Sequence, residues 1–143
     1  MIAYLDSSAI IKQYLLDEPG LAAIHGIAAE SEFVATSRLT FVEVRAGLAA
    51  ARRSDRLDRD THDRAVIAFM DAWAGYDVLE LSEEVSVRAG AVAETYGLRA
   101  GDAIQLASML ELDPRREVIV VAWDTRLRVA AAAAGLTVFP SDR

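Results

Sequence analysis

Cysteine is absent from the 143-residue chain, which excludes disulfides, thiolate zinc sites, iron–sulfur clusters and cysteine nucleophiles together. Histidine occurs only at His25 and His62, neither of them near Asp6, Glu43, Asp102 or Asp124 in sequence, so no role is assigned to either and metal or nucleophile chemistry has to rest on oxygen. Lysine occurs once, at Lys12. No apolar run approaches the ~18 residues that a membrane-spanning helix needs. The opening Met-Ile-Ala-Tyr-Leu-Asp carries no basic region or cleavage site of a leader, so the expectation is a cytoplasmic protein without membrane contact. Positive charge is also in deficit, with 15 basic against 22 acidic residues and a net charge of −7. That argues against coating nucleic acid by bulk charge and leaves a local site open.

What is present is the composition of a folded chain, 53% hydrophobic and 26% charged, although 27 alanines make the large-apolar content leaner than the percentage suggests. The length suits a single domain over residues 1–143; no linker composition and no internal repeat interrupts it. Fourteen of the basic residues are arginine, and seven of these fall between Arg38 and Arg64. For residues 55–64 the spacing favours surface i,i+4 pairs, Arg56/Asp60 and Arg59/Asp63. Arg38, Arg45, Arg52 and Arg53 have fewer acids nearby and are the candidates for holding phosphate.

Ile2 to Leu5 reads as a strand, followed by Asp-Ser-Ser and a helical pattern through Ile10, Ile11, Tyr14 and Leu15 that Asp17-Glu18-Pro19-Gly20 ends. Helices are predicted over about 21–29, from Ser37 through Leu39, Val42, Ala46 and Ala49, and over 57–74, 84–96, 102–110 and 125–134. Further strands are predicted at 33–36, 78–81, 117–123 and 137–139, the run Val-Ile-Val-Val-Ala being of the kind buried on both faces. Strands separated by helices predict an α/β layer with a mainly parallel sheet. Trp73, Trp123 and Phe69 are expected in the core.

Ligands of an open parallel sheet bind beyond the carboxyl ends of its strands, and Asp6 and Asp124 stand directly after two of them. Each also suits a helix N-cap, as does Asp102, where Asp-Ala-Ile-Gln105 matches a capping box. Glu43 lies between the apolar residues of its helix, on the expected core side. Burial of a lone carboxylate there costs several kcal/mol unless Arg38, Arg45 or a metal ion compensates. A divalent cation accounts for all four acids together, because clustered carboxylates repel unless a cation sits among them. An all-oxygen set suits Mg²⁺, or Mn²⁺, rather than zinc, and thereby phosphoryl chemistry.

The segments Ile-Ala-Tyr-Leu-Asp6-Ser-Ser-Ala, Ser-Arg-Leu-Thr-Phe-Val-Glu43-Val, Tyr-Gly-Leu-Arg-Ala-Gly-Asp102-Ala-Ile-Gln-Leu-Ala and Val-Val-Ala-Trp-Asp124-Thr-Arg-Leu resemble, in order and spacing, the four signature blocks of PIN-domain ribonucleases, most closely the VapC toxins. The resemblance spans nearly the whole chain. It implies a PIN-like three-layer α/β/α fold with a mainly parallel sheet of four to five strands. It further implies an endoribonuclease toxin of a type II toxin–antitoxin pair, using one or two Mg²⁺ ions held by Asp6, Glu43, Asp102 and Asp124. Ser8 or Ser7, and Thr125, would support the site through their hydroxyls, Ser8 being preferred. Where the family commonly has Thr two residues ahead of the last Asp, this chain has Ala122. Implied partners are RNA, an antitoxin whose tail covers the active site, and a second copy in a homodimer that assembles with antitoxin into a higher oligomer; Tyr14, Leu15, Leu16, Phe41 and Leu48 offer apolar surface for such contacts, or are core.

Two further classes stand beside this reading. An aspartyl-phosphate phosphatase or receiver domain also begins strand-Asp, but Ser8 occupies the place of the second acid and no late lysine exists. A non-cleaving PIN-like module that binds RNA or a partner would not need Glu43 on a core face, and a housekeeping PIN ribonuclease would share all four acids.

Overall fold

The computed structural model describes residues 1–15 and 18–141. Five strands, β1 (Ile2–Leu5), β2 (Phe33–Ser37), β3 (Asp77–Leu79), β4 (Val118–Val121) and β5 (Thr137–Phe139), form one sheet in the order β3-β2-β1-β4-β5. Every neighbouring pair is parallel, with Leu5 opposite Val121 and Tyr4 opposite Ala35. Seven helices connect them: α1 (Ser7–Ile11), α2 (Leu21–Glu30), α3 (Arg38–Arg53), α4 (Arg59–Trp73), α5 (Glu83–Tyr96), α6 (Ala100–Leu110) and α7 (Thr125–Ala133).

Alternation along the strands divides the apolar side chains between two layers. Ile2, Tyr4, Ala35, Val118 and Val120 face α5, α6 and α7, against Val85, Ala89, Leu106, Leu127 and Ala131. Leu5 and Val121 face the other way, onto Ile10, Ile24, Val44, Leu48 and Phe69 of α1 to α4. The result is the three-layer α/β/α arrangement with five strands. From β1 the chain moves outward to β2 and β3, then returns to place β4 on the other flank of β1. The strand order therefore reverses between β1 and β4, which makes the crevice beyond their carboxyl ends the ligand-binding place of such a sheet.

Several expectations from sequence are corrected. The helix after Asp6 was expected through Leu15, yet α1 ends at Ile11; Tyr14 and Leu15 still pack on the core from a turn, which satisfies the apolar pattern without helical backbone. Leu16, and Asp17 of the expected helix stop, lie outside the described residues. On α3 the buried face is Thr40, Val44, Leu48 and Ala51, not the stripe of Leu39, Val42, Ala46 and Ala49; Val42 is 61% exposed. Leu48 is thus core rather than free apolar surface, and Phe41 packs between Phe69 and Trp73. The pairs Arg56/Asp60 and Arg59/Asp63 do not form. Asp58 instead caps α4, leaving Arg56 outside the helix, where it pairs with Glu18. Phe69 is fully buried, whereas Trp73 and Trp123 are only partly so. Among the described residues no helix is long and apolar enough to cross a membrane.

Candidate functional site

Asp6 follows β1 and caps α1, accepting from the Ala9 amide at 3.1 Å. Its own amide donates to Val121 of β4 at 3.2 Å, so the carboxylate is pinned to the reversal point of the sheet. The Ser8 hydroxyl donates to Asp6 Oδ1 at 2.6 Å and accepts from the Trp123 amide at 2.8 Å, tying the ends of β1 and β4 together. Ser7 makes no comparable bond among the described residues. Asp124 follows β4 and caps α7 by accepting from Leu127 at 2.9 Å; it and Thr125 are exposed. Ala122 is fully buried in the core and its backbone amide donates to the Phe139 carbonyl.

Asp102 departs from the capping-box expectation. α6 begins two residues earlier, with Arg99 in the cap position making no side-chain cap bond, and Asp102 lies inside the first turn. Gln105 consequently does not reach back to an N-cap. It is buried, 2% exposed, and donates from Nε2 to Glu43 Oε1 at 2.8 Å and to Thr40 Oγ1 at 2.9 Å. Tyr4 Oη donates to Gln105 Oε1 at 2.5 Å. Glu43 is half-buried beside the true core face of α3, and its Oε2 faces Gly101, where a Cβ would lie 3.5 Å away. Neither Arg38 nor Arg45 neutralises it. Arg38 grips Glu80 and lies over Trp73, while Arg45 reaches the Met70 sulfur and the Phe41 ring.

The four carboxylates act on one another electrostatically. Burial pushes Asp6 up to about 7; the bonds from Ser8 and Ala9 oppose this, and the charges of Glu43 and Asp124 add to it. Asp102 is raised by burial, then by Asp124 and Glu43, and is held down by Arg99 and Arg126. Tyr4, buried beside Asp6, is raised well above the ordinary phenol value and remains a hydroxyl donor. Among the described residues no three Asp, Glu or His side chains are arranged to hold an ion as they stand. What fits a divalent cation is the donor set: hard oxygen ligands only, and anionic groups whose mutual repulsion a cation relieves.

Arg99, Asp102, Trp123, Asp124, Thr125 and Arg126 line an open groove of about 480 Å³. Arg99 and Arg126 are exposed and form no ion pair among the described residues. Sequence reasoning passed over both, because it searched the arginine-rich window of α3. Arg52 and Arg53 at the end of that helix lie about 14 Å further along its axis than Glu43, at about 1.5 Å per residue.

Residues 3–133 match the family described as PIN domain. The chain is 37% identical over 141 residues to Ribonuclease VapC45 of Mycobacterium tuberculosis strain CDC 1551 / Oshkosh, covering 98% of this chain and 96% of that protein. The same figures hold for Ribonuclease VapC49 of strain H37Rv. Among solved structures, VapBC2 from Rickettsia felis bound to a promoter DNA fragment superposes with a TM-score of 0.67 at 12% identity, covering 99% of this chain and 100% of that one. FitAcB from Neisseria gonorrhoeae gives 0.67 at 23% identity, covering 97% and 96%.

Proposed function

Because the chain belongs to the PIN-domain family, in its VapC branch, we propose that it is a divalent-metal-dependent endoribonuclease, the toxin of a type II toxin–antitoxin pair, in one domain over residues 1–143. The observation that carries this is the convergence of four electrostatically coupled carboxylates, from the ends of β1 and β4 and from α3 and α6, at the reversal point of the sheet.

Asp6 and Asp102 hold the cation, Mg²⁺ or Mn²⁺, most directly; Glu43 completes its surroundings or orients water, and Asp124 acts through water or at a second ion. When bound, the cation neutralises charge at the scissile phosphate and acidifies water. Ser8 fixes Asp6 by its hydroxyl and ties it to the β4 end, so that the two strand-end acids keep their spacing. Thr125 lies beside Asp124 at the groove mouth. Arg99 and Arg126 hold phosphates that flank the cleaved one. Arg45, Arg52 and Arg53 would touch only more distant phosphates, and Arg38 only on release from Glu80. A solved structure of this fold, a toxin–antitoxin complex from Klebsiella pneumoniae, favours an antitoxin partner, whose tail would lie over the carboxylates, and the same reading includes a cytoplasmic homodimer that joins antitoxin in a higher oligomer. A non-cleaving RNA- or partner-binding module is disfavoured, since it has no use for Asp6 and Asp102 held raised by burial and by the charges of Glu43 and Asp124.

The test is purified protein with RNA in Mg²⁺, Mn²⁺ or EDTA, beside Asp6→Asn and Asp102→Asn. Cleavage is expected with either ion, and its loss in EDTA and in both variants; undiminished cleavage by the variants refutes the assignment.

A further inference from the structure

The side chain of Gln105 sits in a chain of hydrogen bonds whose direction is fixed by proton count. Thr36 Oγ1 lies 2.7 Å from the Leu5 carbonyl, which can only accept, so the Thr36 hydroxyl proton is committed there. Thr36 and Thr40 hydroxyl oxygens are 2.9 Å apart, and Thr40 must therefore donate to Thr36. Thr40 is then left as an acceptor, and the group facing it at 2.9 Å has to be the amide nitrogen of Gln105. The second proton of that nitrogen points at Glu43 Oε1, and the Tyr4 hydroxyl closes the other end by donating to Gln105 Oε1. A flipped amide would set its oxygen against both the Glu43 carboxylate and the spent Thr40 oxygen. Tyr4, Thr36, Thr40 and Gln105 are all buried, so water cannot repair such an error.

We propose that Gln105 is the positioning residue for Glu43, presenting a buried N–H of fixed direction that holds the carboxylate in the orientation from which it serves the metal centre, with Tyr4 and Thr40 setting the amide. This rests on the metal-centre reading above. Glu43 is the one acid of the four that no helix cap anchors and that α3 leaves on a long, flexible side chain. Asp6 and Asp124 are held by their caps, and Asp102 by its short side chain within α6. Gln105 supplies for Glu43 what capping supplies for Asp6 and Asp124.

The experiment measures Mn²⁺ affinity of the full chain by titration, with Mn²⁺ alone as the probe, for wild type, Gln105→Met, Tyr4→Phe, Glu43→Gln and the Gln105→Met/Glu43→Gln double variant, with thermal unfolding of each metal-free protein recorded in parallel. Gln105→Met keeps the length and removes the amide; it is expected to weaken Mn²⁺ binding about tenfold or more. Tyr4→Phe should weaken it in the same direction and by less. The double variant should bind as Glu43→Gln does, because with the carboxylate gone nothing is left to position. A merely structural role would lower the unfolding temperature without this dependence on Glu43. Equal affinity of Gln105→Met and wild type, or the same loss in the Glu43→Gln background, overturns the proposal alone. If Gln105→Met does not fold, Tyr4→Phe with wild-type affinity overturns it. Wild-type protein that binds no Mn²⁺ overturns the metal-centre reading itself, and this proposal with it.

Discussion

Asp6 is the residue at which stability and proposed activity oppose one another. Its carboxyl is raised from 3.8 to about 7 by burial and by neighbouring acids, so the folded state binds its proton more tightly than the unfolded chain does. The stability this group allows is complete below pH of about 4 and is lost as pH rises through about 7, with an upper bound of about 4 kcal/mol. Asp6→Asn keeps the oxygen that accepts from Ala9 and Ser8 but cannot ionise. Metal-free Asp6→Asn is therefore expected to unfold at higher temperature than wild type at pH 8, and at the same temperature near pH 4. Scanning calorimetry at both pH values in EDTA checks this; a less stable variant at pH 8 would show that the buried charge carries no penalty. Added Mn²⁺ should close the gap by stabilising only the wild type. Asp6 and Asp124 were legible in the sequence because their place is a strand end, which the chain order itself gives. Glu43 was reached by a stripe of α3 that faces outward, and it lies at the site because it borders the real face of Thr40, Val44 and Leu48. Gln105 was hidden by a local pattern, the capping box, that accounts for a glutamine three residues after an aspartate without any tertiary contact.

At the scale of elements, strands read more surely than helix ends. The run Val118–Val121 is apolar on both faces because β4 lies inside the sheet, whereas α1 stops at Ile11, ahead of the Pro-Gly that would mark a helix end, and α6 starts after Arg99, which makes no side-chain cap bond. A contact between segments far apart in sequence joins Gly20, at the entrance to α2, to Trp123, which precedes Asp124. Gly20 has φ of +92°, and a Cβ there would fall 2.4 Å from the indole ring. Gly20→Ala therefore combines left-handed strain with displacement of a ring on which Lys12 also rests. We expect a loss of about 2 kcal/mol, several degrees in Tm. Gly90, in the middle of α5 with nothing within 4 Å of its would-be Cβ, is the opposite case. Gly90→Ala should stabilise by about 0.5–1 kcal/mol. Paired thermal melts of the two variants test the packing argument directly, and equal effects of one sign would contradict it.

At the scale of the whole molecule, a net charge of −7 and an RNA substrate are compatible only if charge is unevenly placed. In the proposed reading four of the 22 acids belong to the metal centre, where a cation would offset them, and two arginines without ion pairs among the described residues border the groove that Asp102 and Asp124 line. The arginine-rich stretch that draws attention in the sequence is partly spent elsewhere and partly distant. Arg38 is held by Glu80 and Arg56 by Glu18, and Arg52 and Arg53 lie far along α3. Proximity to Asp102 was not legible from the chain order, since Arg99, at the cap of α6, and Arg126, in α7, are far apart in sequence and are brought together where the two helices pack. RNA cleavage should consequently weaken steeply with salt, each phosphate contact contributing a slope of about −0.7 in log affinity against log salt concentration. Arg99→Gln and Arg126→Gln are each expected to raise KM and to flatten the slope of kcat/KM by about that amount, with kcat changed far less. Arg52→Gln and Arg53→Gln should leave the slope near the wild-type value. Initial rates over a salt series at fixed Mg²⁺ distinguish the two sets, and a slope that responds to Arg52 and Arg53 but not to Arg99 and Arg126 would move the RNA path from the groove to the outer length of α3.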